Sequence, residues 1–229
     1  MIVSHKHKFI FIKTAKTAGT SIEIALSEFC GDEDIITPIS ESDEKIRSDL
    51  GFRGPQNYRV PLNKYKKIDW AKLFLQGKPA GFYNHMPASE IKALLDRDVW
   101  NSYYKFCFDR NPWDKFVSLY YWLNRSDRYS SIEDFMNNGM EQGINGFDLY
   151  AIGGIKAVNA VYKYEEMADS LEDISLVLGL PKKLELPKYK AKAGVRKSGG
   201  HFSEVLTEEQ ILMVDLMAAR EIKLLGYER

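Results

Sequence analysis

A short polar segment, KTAKTAGTS, interrupts an apolar stretch near the start of the chain. It holds Lys16, followed by Gly19 and three hydroxyl residues. The residues before it, 8–13, are mostly aromatic or β-branched and predict a buried strand, while apolar residues recur at helical spacing from Ile22. A strand-to-helix turn directs free backbone N–H groups at one point, which suits an oxyanion. We therefore expect a P-loop-like cradle for phosphate or sulfate here.

The order of residues in this segment differs from a Walker A loop, in which a glycine stands well before the lysine. Here Lys16 precedes Gly19. Glycine still permits close backbone approach, and the lysine supplies positive charge where a leaving group becomes negative. The alternative is a strand–turn–helix unit in which Lys16 is merely solvent-exposed. The predicted cradle consists of Lys16, Thr17, Ala18, Gly19, Thr20 and Ser21.

A second segment, FCFDRNPWDKFVSLYYW at 106–122, predicts another strand followed by a helix. Arg110 ends the strand and Ser118 lies on the helix. A guanidinium, a hydroxyl and the helix-start N–H groups would then face one side of the sheet and form a second anion pocket. The alternative is a simple helix start in which Arg110 pairs with Asp109 or Asp114.

Periodicity and capping residues predict strands alternating with helices along the chain. This order is typical of an α/β fold with a central, mostly parallel sheet flanked by helices, and no repeat or linker divides residues 1–229. Strands are predicted at 8–13, 80–85, 103–109 and 159–164, and helices at 22–29, 63–76, 86–95, 111–124, 131–140 and 165–178, with a last helix opened by a capping box at 207–210 and closed by Gly226.

Composition narrows the class of protein. The chain has 229 residues, 45% hydrophobic and 28% charged, with a formal net charge of zero, so the protein as a whole is not built to coat nucleic acid or an anionic membrane. No apolar run approaches membrane-spanning length, and two cysteines make no disulfide scaffold, so we expect a cytoplasmic protein. His5 and His7 could bind a metal, but a polar lead-in to the first strand is the favoured interpretation.

Together the two anion segments resemble the PAPS-dependent sulfotransferases, where PAPS is 3'-phosphoadenosine 5'-phosphosulfate. KTAKTAGTS is similar to the family's 5'-phosphosulfate loop, and FDRNPWDKFVSLY to its 3'-phosphate strand and helix. VYKYEEMADSLEDISLVLGLP, at 161–181, resembles a core strand–helix unit, and HMPASEIKALL and HFSEVLTEEQ resemble the small bacterial and carbohydrate-type members. The likeness covers most of the chain except about 31–80. Two positions depart from the family's pattern. Ala15 stands where the family frequently has a proline, and Asp109 stands where it usually has an apolar residue.

The resemblance implies a P-loop-NTPase-like sulfotransferase fold with PAPS as donor, PAP as product and no required metal. It implies that Lys16 stabilises charge on the bridging oxygen, that residues 17–21 hold the 5'-phosphosulfate, and that Arg110 and Ser118 hold the 3'-phosphate. A basic, glycine-rich loop at 190–201 would fold over the nucleotide; its alternative is a mobile surface loop. The loop residues placed near the 3'-phosphate are Arg196, Lys197, Ser198 and Gly199.

An acceptor hydroxyl or amine needs a general base, and His85 is the candidate because it precedes a helix at the end of a predicted strand. His201 is the rival. Trp113 is expected either to cover the adenine or to pack in the core.

Residues 31–80 match the family poorly and are interpreted as a variable, acceptor-side insertion, since binding residues sit on variable loops. Their basic residues suggest an anionic or sugar acceptor, and simple solvation is the alternative. Two other functions stay open: a P-loop kinase or other NTP-dependent enzyme, and a non-catalytic nucleotide-binding protein. The basic residues are Arg47, Arg53, Arg59, Lys64, Lys66 and Lys67.

Overall fold

A five-stranded sheet forms the centre of the protein, with helices on both faces. The computed structural model describes residues 1–139, 146–188 and 201–229. Residues 190–200 of the predicted nucleotide loop, including 196–199, lie outside the described residues. The strands are β1 (Ile2–Ser4), β2 (Phe9–Phe11), β3 (Ile35–Ile36), β4 (Tyr104–Asp109), β5 (Ala151–Ile152), β6 (Ile155–Lys156) and β7 (Ala160–Lys163).

The helices agree with the predicted periodicity in most places. Short 3₁₀ turns occupy Leu62–Lys64, Tyr164–Glu166 and Phe202–Glu204. The α-helices are α1 (Gly19–Ser27), α2 (Glu41–Asp49), α3 (Lys67–Gln76), α4 (Ala88–Leu94), α5 (Arg97–Ser102), α6 (Pro112–Leu123), α7 (Ile132–Asn138), α8 (Phe147–Tyr150), α9 (Met167–Val177), α10 (Glu208–Met217) and α11 (Ala219–Leu225).

The sheet is mixed, in the order β3-β1-β2-β4-β7. β2, β4 and β7 are parallel neighbours, whereas β1 is antiparallel to both β2 and β3. The expectation of a mostly parallel sheet is therefore right for only half of the strand pairs. The reason lies in β1, a strand that the sequence did not predict: a four-residue turn joins it to β2, and so short a connection permits only antiparallel pairing.

Successive side chains of β2 and β4 point to opposite faces of the sheet and contribute to a core on each face. The rings of Phe9, Phe11, Phe106 and Phe108 pack with apolar residues of α1 and α9. On the opposite face, Cys107 and its neighbours pack with α4, α5 and α8. A third cluster joins α6 and α7 to α10 beside the sheet. This layering brings the segments after β2 and β4 to one edge of a well-buried framework.

Two predicted elements differ from the structure. The strand expected at 80–85 is wrong: only an isolated bridge pairs Gly81 with Arg59 there, since the segment offers few apolar residues to a sheet. The single C-terminal helix is divided at Ala218 into α10 and α11, and it ends at Gly226 in the left-handed conformation as expected. Among the helices described, none has the length and apolar character needed to cross a bilayer.

Candidate functional site

Three loops meet at one edge of the sheet, which we call the carboxyl edge. Because β2, β4 and β7 are parallel and adjacent, the chain leaves all three strands in the same direction. Loop 1 (residues 12–18) follows β2, Arg110 follows β4, and Tyr164 follows β7. In open α/β sheets, ligands bind in the crevice outside such strand ends. Both predicted anion segments therefore open on the same side of the molecule.

Loop 1 has the backbone conformation of an anion cradle. Lys16 and Ala18 both have positive φ angles, 61° and 57°, which non-glycine residues adopt rarely. Ala18 is the N-cap of α1 and contributes no side-chain cap. Within the described part of the chain, no acceptor receives the backbone N–H groups of residues 17–21. Unpaired N–H groups at a left-handed turn and a helix start form a concavity suited to an anion.

The side chains of loop 1 hold it against the end of β4. The Thr14 hydroxyl donates to the carbonyl of Phe108, and the Thr17 hydroxyl donates to the carbonyl of Thr14 over 3.2 Å. Thr14 and Thr17 are both buried. Thr17 thus offers an anion its backbone N–H, whereas its hydroxyl is engaged within the loop. Thr14, which the sequence analysis left out, positions loop 1 on its neighbouring strand.

Gly19 is required because α1 begins in close contact with Lys13 and Thr14. A Cβ at this position would lie 2.8 Å from the Lys13 Cγ and 3.3 Å from the Thr14 carbonyl oxygen. Lys13 is buried, and its ammonium pairs with Glu23 at 2.9 Å. The glycine therefore lets loop 1 close over the stem of Lys13.

Glu23 is the centre of a buried charge cluster behind loop 1. Its carboxylate binds the Met1 amine at 3.0 Å and lies 3.7 Å from Arg47. Burial acts to raise the pKa of Glu23, but the Met1 amine, Lys13 and Arg47 outweigh it and lower that pKa. Burial, partly offset by Glu23, lowers the pKa of the Met1 amine to about 6. The cluster supports loop 1 from inside, and no local pattern in the sequence indicated it.

The Lys16 side chain reaches from loop 1 to α6. Its ammonium lies 4.7 Å from the ring centroid of Trp122, within cation–π distance. Arg125 covers the same ring at 3.4 Å. Lys16 is half-buried between two elements of the carboxyl edge, so the alternative of a merely solvated lysine does not describe its surroundings.

The start of α6 is capped by the protein itself. The Asn111 side chain accepts from the Asp114 N–H over 3.1 Å, which confirms the predicted N-cap. The Asn111 N–H donates to the Glu165 carboxylate over 2.8 Å, and Pro112 has no N–H. The helix-start donors expected in the second pocket are therefore largely engaged, and that part of the expectation is corrected. Arg110 and Ser118 are what the second segment offers an anion.

Arg110 makes no ion pair with Asp109 among the described residues, since the Asp109 carboxylate binds Lys115. Its guanidinium lies 4.5 Å from the Tyr164 ring centroid, and its buried Nε lacks an acceptor among the described residues. Asp109 is fully buried and accepts from Lys115 over 2.7 Å. The alternative in which Asp109 neutralises Arg110 is therefore wrong.

His85 borders loop 1 through its ring. Its Nδ1 lies 3.1 Å from the Lys13 carbonyl oxygen, and since a carbonyl only accepts, Nδ1 carries the proton and Nε2 keeps its lone pair. Desolvation by the surrounding protein, and then the charge of Lys13, lower the pKa of His85 from 6.5 to about 4, although much of the residue is exposed. His85 is thus neutral at pH 7, with Nε2 available to accept a proton.

Trp113 belongs to the α6–α10 cluster, and His201 lies beside it. The exposed His201 ring lies 2.9 Å from the Ser203 hydroxyl and 4.1 Å from the ring of Phe202. Trp113 is buried, stacks on Phe202 at 5.1 Å and donates to Asp215 over 2.8 Å. The core-packing alternative for Trp113 is confirmed. His201 shows no contact with loop 1 among the described residues. Of the two candidate general bases, His85 is therefore the one that borders loop 1.

Several basic residues of the 31–80 segment serve the fold. Arg47 is fully buried beside Glu23 and Glu44. Lys64 pairs with Asp96 at 2.8 Å. Arg53 likewise pairs with Asp32, whereas Arg59, Lys66 and Lys67 are exposed. Arg47 is thereby removed from the candidate acceptor contacts.

The two N-terminal histidines contact protein groups. His5 Nδ1 lies 2.8 Å from the Tyr103 hydroxyl, and His7 packs edge-on against Phe29. Over residues 1–139, 146–188 and 201–229, no group of three or more potential ligands is placed to hold a metal ion.

Comparison with known proteins finds no matching family, no matching curated protein and no matching solved structure. The fold is established as α/β with a mixed five-stranded sheet.

Proposed function

We propose that this protein is a sulfotransferase that moves a sulfuryl group from PAPS to a hydroxyl or amine of a small molecule or glycan. The observation that supports this most is the adjacency of β2 and β4, which are parallel neighbours. It brings the unpaired N–H groups of residues 17–21 and the Arg110 guanidinium to one edge of the sheet. A donor with separate 5' and 3' anionic groups requires two anion-binding sites of this kind.

Loop 1 fits the 5'-phosphosulfate by its donors and its charge. The backbone N–H groups of residues 17–21 bind the anionic oxygens, and the left-handed turn at Ala18 directs them into one concavity. Thr20 and Ser21 add hydroxyls at the first turn of α1. Lys16 stabilises the negative charge that develops on the bridging oxygen as the bond to sulfur breaks.

Arg110 and Ser118 bind the 3'-phosphate in this proposal. Tyr164 holds the guanidinium plane from one side, so that less side-chain entropy is lost when a phosphate binds. Arg196, Lys197, Ser198 and Gly199 stay as proposed contacts from outside the described residues. This second anion contact distinguishes PAPS from ATP.

His85 acts as the general base. The acceptor hydroxyl gives its proton to Nε2 while its oxygen forms the new bond to sulfur, and PAP leaves with the electron pair of the broken bond. The Lys13 carbonyl keeps the imidazole in the required tautomer by accepting from Nδ1. A pKa of about 4 keeps the base unprotonated at neutral pH but makes it weak, so most of the rate enhancement must come from positioning and electrostatics.

Nucleotide preference is the first test of the proposal. Thermal melting of the full chain is recorded with 3',5'-ADP and, in parallel, with ATP and Mg²⁺. We expect the bisphosphate to raise Tm, by an amount that grows with its concentration, because it binds only the folded chain. A larger rise with ATP would instead favour the kinase or NTP-dependent alternative.

Transfer itself is the second test. The protein is incubated with ³⁵S-labelled PAPS and pooled glycans, phenols, lipids and amines, and labelled products are separated from the donor. Transfer to at least one pool is expected. Tight bisphosphate binding without transfer to any pool would favour the non-catalytic nucleotide-binding protein.

A further inference from the structure

Helix α3 presents apolar side chains to solvent. Ile68, Phe74 and Leu75 are 59%, 79% and 83% exposed, and the helix has no buried residue. Leu62, in the 3₁₀ turn before it, is 58% exposed. Contiguous exposed apolar residues of this size mark interaction sites, whereas single ones need no explanation.

The exposed apolar residues share one side of α3. At about 100° per residue, Trp70, Phe74, Leu75 and Ile68 fall within one half of the helix circumference. The Trp70 ring stacks on Phe74 at 5.8 Å and lies 5.3 Å from Tyr65. α3 is thus an amphipathic helix whose apolar side faces away from the protein.

The same segment concentrates positive charge in a chain whose net charge is zero. Residues 62–78 contain one acidic residue, Asp69, and five lysines, three before Trp70 in the sequence and two after it. One of these lysines, Lys64, pairs with Asp96. All of the lysines are exposed: Lys64, Lys66, Lys67, Lys72 and Lys78.

Backbone hydrogen bonds between residues 58–60 and 80–82 close the segment that carries α3. The Val60 N–H donates to the Ala80 carbonyl over 2.9 Å, and the Phe82 N–H donates to the Tyr58 carbonyl over 2.7 Å. The Tyr65 hydroxyl accepts from the Ala80 N–H over 2.9 Å. These bonds join the two ends of the segment that carries α3.

We propose that α3 binds the surface of an anionic lipid bilayer. Its apolar side chains enter the boundary between headgroups and acyl chains, and the flanking lysines contact the negative headgroups. Long lysine side chains reach the headgroup level while their stems stay in apolar surroundings. A second copy of the chain is a poorer occupant, because a two-fold contact through α3 would bring two lysine-rich segments together.

Vesicle sedimentation tests this proposal with the full chain. Sucrose-loaded vesicles of phosphatidylcholine alone, or with about one third phosphatidylserine, are pelleted with the protein at about 0.1 M salt, a range in which surface charges still interact. We expect binding to the phosphatidylserine vesicles and at least about tenfold less to phosphatidylcholine. Raising the salt to about 0.5 M should weaken the binding, because it shortens the screening length.

Two variants separate the apolar and the charged contributions. Phe74→Ser with Leu75→Ser, and separately Lys67→Gln with Lys72→Gln and Lys78→Gln, should each weaken binding about tenfold or more. Matched controls are Leu176→Ser with Leu216→Ser, which are 75% and 81% exposed elsewhere, and Lys45→Gln with Lys92→Gln and Lys223→Gln. Both controls should bind as the parent does, with unchanged thermal melting for all variants.

Three results would overturn the proposal. One is equal binding to both kinds of vesicle, and another is unchanged binding after the Phe74 and Leu75 substitutions. The third is a dimer, seen by sedimentation equilibrium without vesicles, that the same two substitutions dissociate; α3 would then contact a second copy. None of these depends on PAPS, so the sulfotransferase proposal can fail or hold independently.

Discussion

Lys16 and Arg110 are the two cations of the carboxyl edge, and their surroundings give them different roles. Lys16 belongs to the loop that holds the reacting group in the proposed reaction, whereas Arg110 lies after β4 against Tyr164. A group that meets charge developing in the transition state affects turnover, and one that meets a fixed charge affects binding.

Alanine substitution of Lys16 should therefore mainly affect turnover, and alanine substitution of Arg110 should mainly affect nucleotide binding. Lys16→Ala is expected to lower kcat about 100- to 1000-fold with little change in 3',5'-ADP affinity, since it removes leaving-group stabilisation. Arg110→Ala should weaken 3',5'-ADP binding about 10- to 100-fold with a smaller effect on kcat. Calorimetry and single-turnover transfer measure the two quantities. Full activity in both variants would refute this assignment of the site.

His85 should be required for transfer but not for nucleotide binding. Asparagine is the suitable replacement, because position 85 has a φ of 58° and asparagine tolerates that conformation. His85→Asn should abolish measurable transfer to hydroxyl acceptors and leave 3',5'-ADP affinity unchanged. Comparison with His201→Asn provides the control, and loss of transfer only in that variant would move the base to His201.

His85 also predicts a pH dependence of stability. Its pKa is about 4 in the folded chain against 6.5 ordinarily, so between these values the unfolded chain binds more protons. This contribution is present above pH 6.5 and is lost as the pH falls towards 4. The Tm advantage of the parent over His85→Asn should therefore shrink between pH 7 and pH 4.5. A difference independent of pH would contradict the lowered pKa.

At the scale of elements, loop 1 depends on how closely α1 approaches the end of β2. Lys13 passes under Gly19, and Thr14 bonds the end of β4, so one short loop is held by two strands and a helix. Such a loop can keep positive φ angles at Lys16 and Ala18 because its surroundings impose them.

Gly19→Ala should disturb this loop. The added Cβ would meet Lys13 and Thr14 atoms at 2.8 and 3.3 Å, and we expect a loss of about 1–3 kcal/mol in the free energy of unfolding, with weaker 3',5'-ADP binding. Gly54→Ala is the control, because nothing lies within 4 Å of a Cβ there and its φ is not positive. Urea denaturation measures both. Equal stability of the two variants would show that loop 1 accommodates the methyl group.

At the scale of the whole molecule, the Glu23 cluster joins distant parts of the chain. Glu23 on α1 binds Lys13 before loop 1, Arg47 on α2 and the amine of Met1 in a region without solvent access. A buried cluster of this kind stabilises only while every charge has its partner.

Glu23→Gln should therefore be strongly destabilising, by about 3–5 kcal/mol in the free energy of unfolding, because it leaves Lys13 and Arg47 without their shared anion. Glu28→Gln is the matched control on the half-buried side of the same region: its pair with the exposed Lys182 should contribute at most about 1 kcal/mol. Chemical denaturation at pH 7 compares the two. A loss below about 1 kcal/mol for Glu23→Gln would mean that the cluster tolerates an uncharged centre.

Local sequence determined the parts whose physics is local. Apolar β-branched and aromatic runs specified β2 and β4, Asn111-Pro112 specified the start of α6, and the capping box at 207–210 specified the start of α10. The same reasoning located loop 1, because small residues between a buried strand and an apolar helix leave few other conformations. These features depend on neighbours within a few positions, so a single chain displays them.

Tertiary structure decided which of those groups are available for binding. Glu165, 54 residues away in sequence, takes the Asn111 N–H; Thr17 gives its hydroxyl to Thr14; and Arg47 is buried against Glu23. It also decided that β1 makes the sheet mixed and that the apolar side of α3 faces outward. Hydrogen-bond partners and burial are set by contacts between distant segments. Periodicity and spacing carry no record of those contacts, and so only the folded chain reveals them.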